Sequence, residues 1–174
     1  MTLSKGLTQV YTGDGKGKTT SAFGLAMRAC GRGIPVFIIQ FMKTNDTGEF
    51  AIAQKLENIE IYTFGADGFV DRNNVSKIDI ELAGKALEKA FEILENNDNC
   101  ILILDEINNA LSFNLISLDD CLALIDKKGN TVELILTGRN APGELIEKAD
   151  LVTEMKEIKH PWQHNIPARK GIEW

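Results

Sequence analysis

Thr12-Gly-Asp-Gly-Lys-Gly-Lys-Thr-Thr20 follows a short strand-like run at residues 7–11, and that junction decides the fold. Glycines at 13, 15 and 17 let backbone N–H groups turn inward without Cβ clashes, forming a concave nest for phosphate oxygens. Lys18 brings a point charge to the phosphates, and the Thr19 hydroxyl is suited to a magnesium ion. A helix starting at Lys18 aims its positive dipole end at the same anion. Gly17, Lys18 and Thr19 meet the end of the pattern G-x-x-x-x-G-K-[ST], but Thr12 stands where its first glycine belongs. Residues 12–20 (Thr12, Gly13, Asp14, Gly15, Lys16, Gly17, Lys18, Thr19 and Thr20) are therefore read as a nucleotide-phosphate loop rather than a Gly/Lys-rich surface turn.

Working outward, apolar runs alternate with helical periodicity. Strands are expected at 7–11, 35–41, 59–64, 101–104, 132–136 and 151–154. Helices are expected at 18–31, 49–56, 76 to about 95, 118–127, and from Pro142 to about 149. Ser76 and Ser117 are suited to cap two of those helices. Residues 65–75 are rich in Gly, Asp and Asn and read as a long loop, a kind of segment that is often functional. The alternation argues for an α/β fold of the P-loop type: a mostly parallel sheet with helices on both faces and the ligand at the carboxyl ends of the strands. The chain is expected to form one domain over 1–174, with an irregular tail from about 156.

The 174 residues suffice to bury roughly 70% of the unfolded surface, and 44% hydrophobic with 25% charged residues is an ordinary globular composition. No apolar run approaches the ~20 residues of a membrane span, and there is no signal-peptide pattern, so cytoplasmic residence without a membrane partner is expected. A net charge of −6 argues against nucleic acid, which needs a basic footprint. Cys30, Cys100 and Cys121 are scattered among apolar neighbours and read as free thiols.

Three further groups carry chemistry. Cys100-Ile-Leu-Ile-Leu-Asp105-Glu106 is an apolar strand ending in two carboxylates. Helix capping accounts for one acid; a metal bound with the triphosphate accounts for both. The ligand set is then Thr19 with Glu106 directly, and Asp105 through water or by orienting Lys18. Arg139, at the end of the next strand, is placed either to stabilise a polyphosphate leaving group or to sit solvated at the surface. Gln40-Phe-Met-Lys43 ends the second strand. There Lys43 is in reach of phosphate, and Phe41 and Met42 are set either to line an apolar pocket or to fill the core. His160 and His164 lack the further ligands a zinc site needs, so the tail around Trp162 is expected to close over a ligand instead.

In order and spacing, these blocks resemble the P-loop family of ATP:corrinoid adenosyltransferases. The resemblance rests on Val10-Tyr-Thr-Gly-Asp-Gly-Lys-Gly-Lys-Thr-Thr20, Gln40-Phe-Met-Lys43, Gly65-Ala-Asp-Gly-Phe69 and Leu104-Asp-Glu-Ile107. It continues through Leu136-Thr-Gly-Arg-Asn-Ala-Pro142, Ala149-Asp-Leu-Val-Thr-Glu-Met155, Lys159-His-Pro161 and Lys170-Gly-Ile-Glu173. Thr12, anomalous for a general P-loop, is what this family's loop carries. The resemblance implies that a corrinoid's cobalt(I) attacks the 5′ carbon of ATP and triphosphate leaves. Lys18, Glu106 and Arg139 are then the catalytic residues, with Mg2+ (or Mn2+) as cofactor. ATP is the co-substrate, the corrinoid (cobalamin) the substrate, a flavoprotein-type reductase the electron donor, and the enzyme a homodimer.

The family also implies an aromatic contact beneath the corrin ring that drives off the lower axial ligand. Phe69 matches one such aromatic, while Asp71 stands where the family carries tryptophan, and Trp162 is the candidate to replace it. The expected corrinoid-binding set is thus Phe41, Met42, Phe69, Asp71 and Trp162. Two rival functions stay open: a P-loop small-molecule kinase, and a non-catalytic nucleotide-dependent corrinoid-binding protein.

Overall fold

A computed structural model describes residues 2–66, 68, 70–72 and 74–173. Its strands are β1 (Thr8–Thr12), β2 (Val36–Phe41), β3 (Ile59–Phe64), β4 (Ile101–Asp105), β5 (Glu133–Thr137) and β6 (Leu151–Glu154). They form one six-stranded sheet in the order β3-β2-β4-β5-β1-β6. Every pairing in it is parallel. The helices are α1 (Lys18–Cys30), α2 (Gly48–Ala53), α3 (Lys77–Asn96), α4 (Ile107–Ser112), α5 (Leu118–Lys127) and α6 (Gly143–Lys148). All the expected strands are present within a residue or two at each end.

The central strands are apolar because both faces of the sheet are covered, and the pleat sorts their residues between two cores. Ile38, Ile101, Ile103 and Ile135 face α1, whose buried Ala22, Ala26 and Ala29 let the helix approach closely. Ile39, Phe41, Leu102, Leu104, Leu134 and Leu136 face the other way, against residues of α3, α4 and α5. Counting in twos along β2, β4 and β5 places Gln40, Asp105 and Thr137 on the α1 side, at the carboxyl ends of three neighbouring strands. All three are buried polar residues. The same count corrects the expectation for Phe41: it lies on the opposite face, 0% exposed in the core, and lines no ligand pocket.

Helix ends follow local chemistry. Ser76 and Asp79 form a reciprocal capping box at α3, and Ser117 accepts from the Asp120 amide at α5. Pro142 is the residue before α6 rather than its first turn. Helix α4 is an addition to the expected set; its six residues, Ile107-Asn-Asn-Ala-Leu-Ser112, are too few for a helical period to stand out. Among the described residues, 65–75 contain neither helix nor strand. Cys100 and Cys121 are buried free thiols and Cys30 is half-buried, as expected. Burial pushes Cys100 up to about 11 and Cys121 up to about 12. Among the described residues, no helix is long and apolar enough to cross a membrane.

Candidate active site

The phosphate loop leaves β1 and enters α1 through Gly13 at φ 94° and Gly17 at φ 122°, a region closed to most side chains. A Cβ on Gly13 would lie 2.5 Å from the Met155 carbonyl, because the chain beyond β6 packs directly under the loop. The Gly15 amide donates to that carbonyl at 2.6 Å, and the Met155 amide donates to the Thr12 carbonyl at 2.8 Å. The loop is thus braced by the C-terminal segment.

Lys18 is nearly buried, and its ammonium donates to the carbonyls of Gly13 at 2.6 Å and Gly15 at 2.8 Å. Burial lowers its pKa, with Glu106 acting in the opposite sense. It spans the loop from within and, among the described residues, makes no hydrogen bond to Asp105, whose charge nevertheless acts on it. Asp105 instead accepts from Thr19 at 2.8 Å, Thr137 at 2.7 Å, Gln40 at 3.0 Å and Lys43 at 2.7 Å. Burial of its carboxyl raises the pKa, but the Lys43 charge and these hydrogen bonds outweigh it, and the net shift is downward. Lys43 shows the matching balance: burial pulls it down, Asp105 and Glu106 push it up, and the net shift is upward.

Glu106 follows Asp105 at φ 67°, a left-handed turn that ends β4 and starts α4. Its side chain makes no capping bond to α4, so helix capping does not account for this acid. The carboxylate lies 3.8 Å from the Lys43 ammonium and accepts from the Asn109 side chain at 2.6 Å. Burial raises its pKa, Lys43 opposes this and Asp105 reinforces it, for a net upward shift. The same Asn109 accepts from the Arg139 amide at 2.7 Å, tying α4 to the end of β5. The Arg139 guanidinium is about half exposed beside Asp14, 3.7 Å from its carboxylate.

A cleft of about 660 Å³ opens over these groups, within the ~300–1,000 Å³ usual for small-molecule sites. Its walls include the residues of the phosphate loop from Asp14 to Thr20, Gln40, Met42, Lys43, Glu106, Asn109 and Arg139. Ala66 and Gly68 contribute from the 65–75 loop, and His160, Ile172 and Glu173 from the tail. Met42 is therefore at the cleft. Trp162 is 76% exposed and does not line it. Asp71 is exposed on the loop, and Phe69 lies outside the described residues.

Gln40, Thr137 and Asn109 are site residues that motif reading missed. The first two are legible by counting back in twos from Asp105 and along its neighbours, once the strand order is known. Asn109 has no such signal, since α4 itself was not legible.

Among the described residues, no cluster of His, Cys, Asp or Glu side chains is arranged to hold a metal alone. Thr19, Asp105 and Glu106 nevertheless converge as hard oxygen donors beside the phosphate loop, a donor set that fits magnesium completed by phosphate and water.

The family model described as ATP:corrinoid adenosyltransferase BtuR/CobO/CobP matches residues 4–174. The chain belongs to that family. It is similar to a corrinoid adenosyltransferase of Sinorhizobium sp., 40% identical over 98% of this chain and 81% of the relative. A Pseudomonas aeruginosa corrinoid adenosyltransferase is 37% identical over 98% of this chain and 84% of its own length. Among solved structures, the KaiC-like protein PH0186 of Pyrococcus horikoshii superposes with TM-score 0.56 at 19% identity, covering 89% of this chain and 75% of that one. That likeness bears on the fold alone and supports the P-loop architecture. Family membership makes the chain an ATP-dependent adenosyl transferase, with ATP and a corrinoid as substrates, and decides against the kinase alternative.

Proposed function

We propose that the β1–α1 loop and the ends of β2, β4 and β5 hold the triphosphate end of ATP, while the 65–75 loop and the tail receive the corrinoid. The observation that carries this reading is the convergence of Thr19, Lys43 and Asp105 at 2.7–3.3 Å at the foot of the phosphate loop. In the family's reaction a cobalt(I) substrate attacks the 5′ carbon of ATP, the carbon–oxygen bond to the triphosphate breaks, and a cobalt–carbon bond forms. Negative charge then grows on the departing triphosphate oxygen, so fixed donors placed there lower the barrier.

Loop amides and the α1 N-terminus are the preorganised donors. Lys18 leaves the Gly13 and Gly15 carbonyls and turns its ammonium to the phosphates, and Arg139 closes from the β5 side. Thr19 and Glu106 would hold magnesium, with Asp105 orienting Thr19; the ion would supply charge neutralisation to the leaving group. Because cobalt(I) is itself strongly nucleophilic, no residue is asked to act as general base.

On the corrinoid side, Met42 at the cleft wall, Phe69 and Asp71 on the loop, and Trp162 on the tail are the proposed contacts. A reductase that makes cobalt(I) and a homodimeric assembly belong to the same reading. Calorimetry on Lys18→Ala and Thr19→Ala tests it: each should bind MgATP at least tenfold more weakly. Wild-type MgATP affinity and turnover in both variants would refute the phosphate-site assignment.

A further inference from the structure

Among the described residues, Lys43 is the only charged donor of the four side chains bonded to the fully buried Asp105. Its ammonium is 2.7 Å from Asp105, 3.3 Å from the Thr19 hydroxyl and 3.8 Å from Glu106. Those are the same three residues whose oxygens make up the donor set for a divalent cation. A buried carboxylate without a charged partner is costly, and the ammonium supplies that partner to Asp105. An ammonium and a dication repel each other strongly at the spacing of one shared set of oxygens, so binding of the dication favours departure of the ammonium.

The chain is built to let the lysine go. Met42, at φ 55°, turns the backbone sharply after β2, so Lys43 reaches Asp105 from outside the sheet on a flexible stem. Its side chain is still 27% exposed, and it lines the cleft that faces the phosphate loop. A second buried polar atom sits beside the pair. The Gln40 side-chain amide donates to Asp105, while its buried carbonyl oxygen has no partner among the described residues and is placed to accept from a water bound to an incoming cation.

We propose that Lys43 is a displaceable internal cation. It holds the divalent-metal position in the nucleotide-free protein, yields that position when the metal arrives with ATP, and carries its charge to the triphosphate. This rests on the magnesium reading above and adds a specific role for a residue that reading leaves unassigned. Two consequences follow. Nucleotide-free protein binds divalent cations weakly, because each must evict an ammonium. Metal and nucleotide favour each other's binding, because the evicted ammonium finds a new partner in the phosphates.

The test uses Mn2+, followed by the paramagnetic-resonance signal of the free ion, on the nucleotide-free full chain. Lys43→Met and Lys43→Gln should bind Mn2+ at least tenfold more tightly than the wild type, and adding Glu106→Gln to either should remove the gain. Unchanged or weaker Mn2+ binding in folded Lys43 variants would overturn the proposal. A measurement on the wild type is independent of how the variants fold: labelling of Lys43 by an amine-reactive reagent, read by peptide mass spectrometry. Labelling should rise at saturating Mn2+ and fall again when ATP is added. Labelling of Lys43 that is unmoved by Mn2+ would also overturn it. Failure of the underlying metal reading looks different, since the wild type would then bind no Mn2+ even with ATP present.

Discussion

The two sides of the cleft are held in contrasting ways. At the strand ends, Gln40, Asp105 and Thr137 are at most 1% exposed and bonded to one another across three strands. On the facing side, the 65–75 loop and the tail line the cleft with half-buried Ala66, His160 and Glu173 and exposed Gly68 and Ile172, and the Lys16–Ile172 hydrogen bond lies at the surface. The first side is positioned by the packing of the whole sheet, the second by a few local contacts. A rigid phosphate cradle opposite a looser rim suits a reaction in which a small, strongly charged substrate is fixed while a large ring enters and leaves.

The contrast is broken most severely at its centre. Asp105→Ala strands donors from Thr19, Gln40, Thr137 and Lys43, and loss of one partner of a buried pair costs roughly 3 kcal/mol or more, tempered here by Lys43's access to water. Chemical denaturation should record a drop of that order together with near-complete loss of turnover. Trp162→Ala should move stability by no more than about 0.5 kcal/mol, the usual scale for exposed positions. Equal losses in the two variants would mean that the two sides do not differ as described.

Glu106→Gln separates chemistry from scaffolding. The Glu106 side chain makes no capping bond to the α4 backbone, and a glutamine oxygen can still accept from the Asn109 side chain, so the melting point should stay near that of the wild type while the magnesium requirement rises steeply or turnover disappears. A melt lowered as by a lost helix cap, about 1 kcal/mol, with normal activity would return Glu106 to a structural role.

A pH series sharpens the same point more gently. The depressed Asp105 value means that its stabilisation is fully present above its unfolded pKa, near 4, and is lost as pH falls through the lower folded value. The raised Lys43 value means that its share is fully present below its unfolded pKa, near 10.4, and is lost only as pH rises through the higher folded value. Lys43→Met also removes the charge that opposes burial at Asp105 and Glu106, so both carboxyls take up protons at higher pH in the variant. The stability difference between wild type and Lys43→Met should therefore be largest on the alkaline side of those carboxyl titrations, shrink as pH falls through them, and shrink again as pH rises past the Lys43 value. A difference that does not change as the pH is lowered would contradict the ion-pair assignment. The smallest effect is expected at the rim, where Trp162→Ala should weaken corrinoid binding severalfold and leave MgATP affinity unchanged in a titration of each ligand separately.

What was legible in the sequence follows the same division. A phosphate loop needs glycines and a lysine at fixed spacing, and strands covered on both faces need continuous apolar runs. Residues 12–20 and Ile101-Leu-Ile-Leu104 therefore announced themselves. The bonds of Asp105 were not legible, because they depend on β4 lying between β2 and β5 with α1 packed over it, long-range placements that no local pattern encodes. Phe41 was ambiguous for the same reason: its neighbour Gln40 faces the site and only the pleat separates them. Helix α4 carries too few residues to show a period, so Asn109, which joins Glu106 to the Arg139 backbone, stayed hidden with it. The tail's approach to the phosphate loop rests on backbone bonds from Met155, which side-chain patterns do not announce.

The reaction assigned to this family member cleaves ATP at its 5′ carbon and passes the adenosyl group to a corrinoid. Its most direct test is a phosphorus magnetic-resonance spectrum of a reaction with MgATP and chemically reduced cobalt(I) corrinoid, taken alongside the light sensitivity of the corrinoid product. One triphosphate should form for each light-sensitive cobalt–carbon bond, and no ADP. ADP with phosphate as products, or triphosphate absent while the corrinoid remains unalkylated, would contradict it.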